Sequence, residues 1–90
     1  MKDQENITDI EQYVIEVVKT LRKERKQTQQ DIADIIGVDR SFITSVESDS
    51  KSAKYNLRHI NALADYFGMS PRDFLPEKAF PVDNMNEGTK

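Results

Sequence analysis

The 90-residue chain contains no cysteine, which excludes disulfides and thiol nucleophiles. It has one histidine, His59, so a metal site would have to rest on that ring and on carboxylates. Long apolar runs are missing, and with them any segment that could span a membrane. The opening MKDQENITDIEQ lacks the basic start and apolar middle of a secretory signal. The three glycines form no phosphate-cradling loop, and no nucleophile stands in a pattern with a base, so no enzyme is expected. Strand-like alternation and internal repeats are absent too. These absences lead to the expectation of one soluble, cytoplasmic, cofactor-free domain.

What is present is charge, unevenly placed. The net charge is -3. Residues 1–18 hold one lysine against five acids, and residues 59–90 hold three bases against five acids. Residues 19–58 hold nine Lys or Arg against six acids, so the middle of an acidic chain is basic.

Apolar residues recur at helical spacing throughout. Ile7, Ile10, Val14, Val17, Val18 and Leu21 share one face of a helix predicted from about Thr8 to Lys26, with Thr8 and Glu11 spaced as a capping box. Thr28 can cap a short helix carrying Ile32, Ala33, Ile35 and Ile36, which Gly37 ends. Asp39 can cap the next, with Phe42, Ile43 and Val46 as its apolar positions, and the three-residue link between the two predicts a tight helix-turn-helix. A polar loop follows, then a fourth helix from Asn56 to Gly68 and a brief fifth from Ser70-Pro71 to Leu75. Residues 76–90 hold two prolines, one glycine and no periodicity, which reads as a flexible tail on which Phe80 and Val82 could still dock. The expected fold is all-α, a compact five-helix domain over residues 1–75.

The stretch LRKERKQTQQDIADIIGVDRSFITSVE, followed by LRHINALADYFGMSPRDFL, resembles the phage repressor and Cro family, also called the xenobiotic-response-element family of helix-turn-helix DNA-binding domains. The resemblance covers residues 17–75. It is carried by Arg22, Thr28, Gln29, Ile32, Ala33, Gly37, Ile43 and Glu47 in order, and by the closing GMSPRDFL. It implies a lambda-repressor-like fold in which Ile32, Ile36, Ile43, Val46 and Leu63 form the core and Arg22 and Glu47 form a structural ion pair. It implies a recognition helix of about residues 40–48 in the major groove of double-stranded DNA. There Arg40, Ser41, Thr44 and Ser45 would face bases or nearby phosphates, and Thr28 and Gln29 would hold a phosphate. Ser48, Ser50, Lys51, Lys54 and Tyr55 would touch the DNA backbone. Asp49, where many relatives carry glycine, is a departure that puts a negative charge beside that backbone.

The implied function is a bacterial or phage-type transcriptional regulator, repressor-like and nucleoid-associated, acting as a homodimer on a palindromic operator. Ile15 and the surface of the last two helices are candidate dimer faces. A different class of partner is conceivable for such a fold: a protein, either a toxin or a co-regulator. The hydroxyl-rich, cation-bearing face over residues 40–45 argues for DNA, because a protein partner would be met by an apolar one. His59 has no ligand pattern around it and reads as a surface or capping residue.

Overall fold

The computed structural model describes residues 7–48 and 52–82. Along the chain, α1 spans Asp9–Glu24, α2 Gln29–Ile36, α3 Arg40–Glu47 and α4 Leu57–Phe67, and a 3-10 turn covers Pro71–Phe74. The described residues contain no strand. The expected count of five α-helices therefore becomes four and one 3-10 turn. Pro71 starts that turn and Pro76 follows closely, so the segment has no room for a full α-helical turn ladder.

Each helix begins where a side chain can satisfy an orphan backbone N–H. The Thr8 N–H donates to Glu11 Oε1 at 3.0 Å and the Glu11 N–H donates to Thr8 Oγ1 at 3.4 Å, a reciprocal capping box. Thr28 with Asp31, Asn56 with His59 and Ser70 with Asp73 repeat the device. Asp39 is the exception. It sits at the N-cap position of α3 but its side chain makes no capping bond. The Phe42 N–H that it would take is already bonded to the Asp39 carbonyl at 3.0 Å.

Three of the four α-helices end through a left-handed residue, whereas α3 ends in the extended Ser48. Gly37 (φ 75°) closes α2 and Gly68 (φ 69°) closes α4. In both, the next residue's N–H reaches back to a carbonyl five residues earlier: Val38 to Ala33 and Met69 to Ala64. At the end of α1 the left-handed residue is Lys26 (φ 57°), with the Gln27 N–H bonded to the Arg22 carbonyl at 2.8 Å. The helix predicted to run to about Lys26 thus stops at Glu24, and Lys26 serves the turn instead.

All five elements converge on one core. Val14, Ile15, Val18 and Leu21 of α1 meet Ile32 and Ala33 of α2, Ile43 and Val46 of α3, and Ile60, Leu63 and Ala64 of α4. Phe74, delivered by the 3-10 turn, is 0% exposed. Fully burying such a side chain stabilises the fold by roughly 1.5–3 kcal/mol. The inward face of α1 is rotated from the predicted one. Ile15 is 3% exposed and belongs to the core, while Ile10 is 45% exposed, so Ile15 is not available as a dimer face. Ile36, predicted as core, is only half-buried against it. Beyond the 3-10 turn the Phe80 ring stands edge-on to Tyr13, 6.2 Å between centroids, so this residue of the expected tail lies against α1.

Candidate nucleic-acid interface

The α2–turn–α3 unit is held to α1 by charge as well as by packing. Arg22 donates from Nε to Glu47 Oε2 at 2.9 Å and from Nη2 to Glu47 Oε1 at 2.8 Å, a two-pronged pair. Its Nη1 donates to the Gln27 carbonyl at 3.1 Å. The Arg22 and Glu47 side chains are 13% and 5% exposed, so both charges are largely out of water. Burial pushes the Glu47 carboxyl up, but hydrogen bonds from Arg22 and Gln29 and the Arg22 charge outweigh it and hold the group below the usual carboxylate range. The bond to Glu47 correspondingly raises Arg22.

The pair continues outward. Gln29, first residue of α2, donates from Nε2 to Glu47 Oε1 at 3.0 Å. Its Oε1 accepts from the Thr44 hydroxyl at 3.0 Å. A hydrogen-bonded row, Arg22–Glu47–Gln29–Thr44, therefore runs from α1 to the exposed side of α3. Thr44 and Glu47 lie three residues apart on α3 and hence on neighbouring positions of one face. Once α2 is packed across α3, that spacing lets one α2 side chain reach both.

On α3 itself Ile43 and Val46 are buried, whereas Arg40, Ser41, Thr44 and Ser45 are all exposed. Among the described residues Arg40 forms no ion pair, although it occupies the first turn of a helix, where the macrodipole disfavours a cation. Thr28 is exposed beside this row, and its Oγ1 accepts from the Asp31 N–H at 3.0 Å while the hydroxyl hydrogen remains to donate. The Asp31 carboxylate takes the Thr28 N–H at 2.8 Å, so the α2 N-terminus already carries a negative group. Ser48 is exposed and its hydroxyl donates to the Ser45 carbonyl at 2.8 Å. Asp49, Ser50 and Lys51 lie outside the described residues. Lys54 is half-exposed and stands 3.4 Å from Glu11 on α1. That neighbour offsets its charge.

Tyr55 leaves the predicted contact set. It is 8% exposed, and its hydroxyl is fully covered without a hydrogen-bond partner. Burial, and then the Glu47 charge, push the phenol well above its ordinary range. A phosphate cannot reach that oxygen. The ring instead anchors the α3–α4 link, edge-on to Phe42 at 6.2 Å and to His59 at 6.0 Å, with Phe42 and His59 5.4 Å apart. His59 Nδ1 accepts from the Asn56 N–H at 3.1 Å, which requires the neutral ring. Burial and the nearby Arg58 charge both lower its pKa, in keeping with that role.

Among the described residues no group of three or more His, Cys, Asp or Glu side chains could hold a metal ion. No helix there is long and apolar enough to cross a membrane. The helix-turn-helix domain family model matches residues 15–78, which takes in all of α2, α3, α4 and the 3-10 turn. No curated protein matches the chain significantly.

Proposed function

The chain belongs to the helix-turn-helix domain family, of the Cro and xenobiotic-response-element type, and on that premise we propose a sequence-specific transcriptional regulator of double-stranded DNA. The observation that carries the reading is the division of α3 into a buried apolar side and an exposed polar side led by Arg40. A helix of this kind enters the major groove by its N-terminal end. Arg40 is placed to donate two hydrogen bonds to guanine O6 and N7. Ser41, Thr44 and Ser45 follow it along the base edges, and Thr28 and Gln29 flank them at phosphates, whereas Ser48 has already given its hydroxyl hydrogen to the Ser45 carbonyl. Ser50 and Lys51, outside the described residues, are further candidates for phosphate contact by the resemblance; Lys54 contributes less because Glu11 competes for it.

The regulator acts in the cytoplasm as a homodimer on a two-fold operator, with half-sites about 34–36 Å apart. Support for self-association comes from Leu57 (79% exposed), Ile10 (45%) and Leu75 (39%), which line one open groove between α1 and α4. The polar face of α3 offers a protein partner little apolar surface to bury.

Selection of bound duplexes from a random pool tests the proposal. Wild-type protein should prefer the selected operator over a scrambled one, with affinity falling steeply as salt rises. Arg40→Ala should lose about 1–3 kcal/mol of that preference. Equal binding of matched and scrambled duplexes by the wild type would overturn the reading.

A further inference from the structure

The row of hydrogen bonds that starts at the ion pair has a direction. An ionised carboxylate can only accept, so Glu47 compels Gln29 to turn its Nε2 inward. The amide has one oxygen and one nitrogen, so the Gln29 oxygen must then face Thr44. A hydroxyl has a single hydrogen, and that of Thr44 is consumed by Gln29 Oε1 at 3.0 Å, with the Arg40 carbonyl at 3.3 Å as the one other acceptor nearby. Both acceptors belong to the protein. What exposed Thr44 turns outward is therefore a pair of oxygen lone pairs and a methyl group, without a donor.

In the major groove the donors are the exocyclic amines of adenine N6 and cytosine N4, whereas guanine and thymine offer oxygen acceptors. We propose that Gln29 is a positioning residue that sets the Thr44 hydroxyl as an acceptor, so that Thr44 selects adenine or cytosine over guanine or thymine at one operator position. The inference rests on α3 being the reading helix. It adds that the polarity of one reading residue is dictated from α1 and α2, through the charge on Glu47. A threonine held only by the longer contact to the Arg40 carbonyl could turn its hydrogen outward, give or accept, and would have no such preference.

The test uses the full chain and the operator selected from a random pool, with all four bases placed in turn at each position of a half-site. Wild type should favour adenine or cytosine at one position by roughly 2- to 12-fold, the range of one neutral hydrogen bond. Thr44→Val, which keeps the shape and removes the hydroxyl, should flatten that position alone, and Thr44→Ser should retain the preference. Gln29→Ala should also flatten it, because the hydroxyl, left with only the longer 3.3 Å contact to the Arg40 carbonyl, can turn to donate to guanine or thymine. In the Thr44→Val background Gln29→Ala should add nothing there. Thermal unfolding checks that each variant is folded, and Gln29→Met, of similar length but without the amide, replaces the alanine variant if a gap destabilises it. Retention of the adenine or cytosine preference in folded Gln29 variants, or in Thr44→Val, overturns this inference while DNA reading by α3 stands. A wild type indifferent to sequence at every position overturns the functional reading itself.

Discussion

Replacing Arg22 by methionine would leave the Glu47 carboxylate at 5% exposure with a single remaining hydrogen bond, from Gln29. Methionine fills most of the arginine's stem but supplies no charge, so desolvation of the carboxylate is no longer offset. Removing one partner of a buried pair costs about 3–5 kcal/mol. The low end applies here, about 3 kcal/mol at pH 7, because Arg22 was partly in contact with water and Gln29 stays in place. At roughly 4–8 °C per kcal/mol for a domain of this size, the melting point should fall by about 12–24 °C.

The deficit should also depend on pH, with a sign that identifies its cause. In the wild type the folded Glu47 carboxyl is held below its unfolded value, so its contribution is present above the unfolded pKa and is lost as pH falls through the folded one. In Arg22→Met the burial that raises this carboxyl is no longer outweighed. The folded group then binds its proton more readily than the unfolded one, and the variant gains relative stability as pH falls. The two curves must therefore converge on acidification. Urea unfolding of both proteins at about pH 7 and about pH 5 measures the gap. A gap below about 1 kcal/mol at pH 7, or one that stays constant or widens at pH 5, would refute a buried, mutually dependent pair.

Three further outcomes follow from single atoms and single dihedrals. Tyr55→Phe should stabilise the protein by about 1 kcal/mol, because it removes a covered hydroxyl without a partner and keeps the ring contacts to Phe42 and His59; a loss of stability in urea unfolding would show that the oxygen is held. Lys26→Gly should raise the melting point by relieving a left-handed backbone at φ 57°, worth up to about 1 kcal/mol. Gly37→Ala should lower it at a stability cost of about 1–2 kcal/mol, from the backbone alone, since an added Cβ would meet nothing within 4 Å; equal melting points across wild type and these two variants would contradict both.

Local chemistry was the legible part of the chain. Thr8 with Glu11 announces a helix start because the two groups satisfy each other's neighbours without help from the rest of the fold. Gly37 likewise announces an end, since its backbone conformation is costly for other residues. The errors lie where several elements decide together. The apolar stripe of α1 is broad enough that Ile10 or Ile15 could turn inward, and the docking of its neighbours chose Ile15. Asp39 has the right identity for a cap, but a tight first turn took its target N–H. Tyr55 follows a polar loop, where it could anchor that loop or bond a phosphate, and Phe42 and His59 decide it by drawing the ring under the surface. Gln29 was recognisable as a polar residue near the exposed face of α3. Its bonds to Glu47 and Thr44 depend on how α2 crosses α3, which no spacing within one helix encodes.

Phe74 gives this small domain an order in time. It lies between α1 and α4, wholly covered, and it comes late in the described chain. During synthesis at roughly 5–20 residues per second, a few seconds separate the emergence of α3 from that of the ring that closes the core. Until then the helices can form and touch, but their shared interior has an open side. Through α1, which touches both α3 and the 3-10 turn, the frame behind the Arg40-to-Ser45 row is completed only when Phe74 arrives, so a nascent chain stalled after α4 should hold α3 less rigidly.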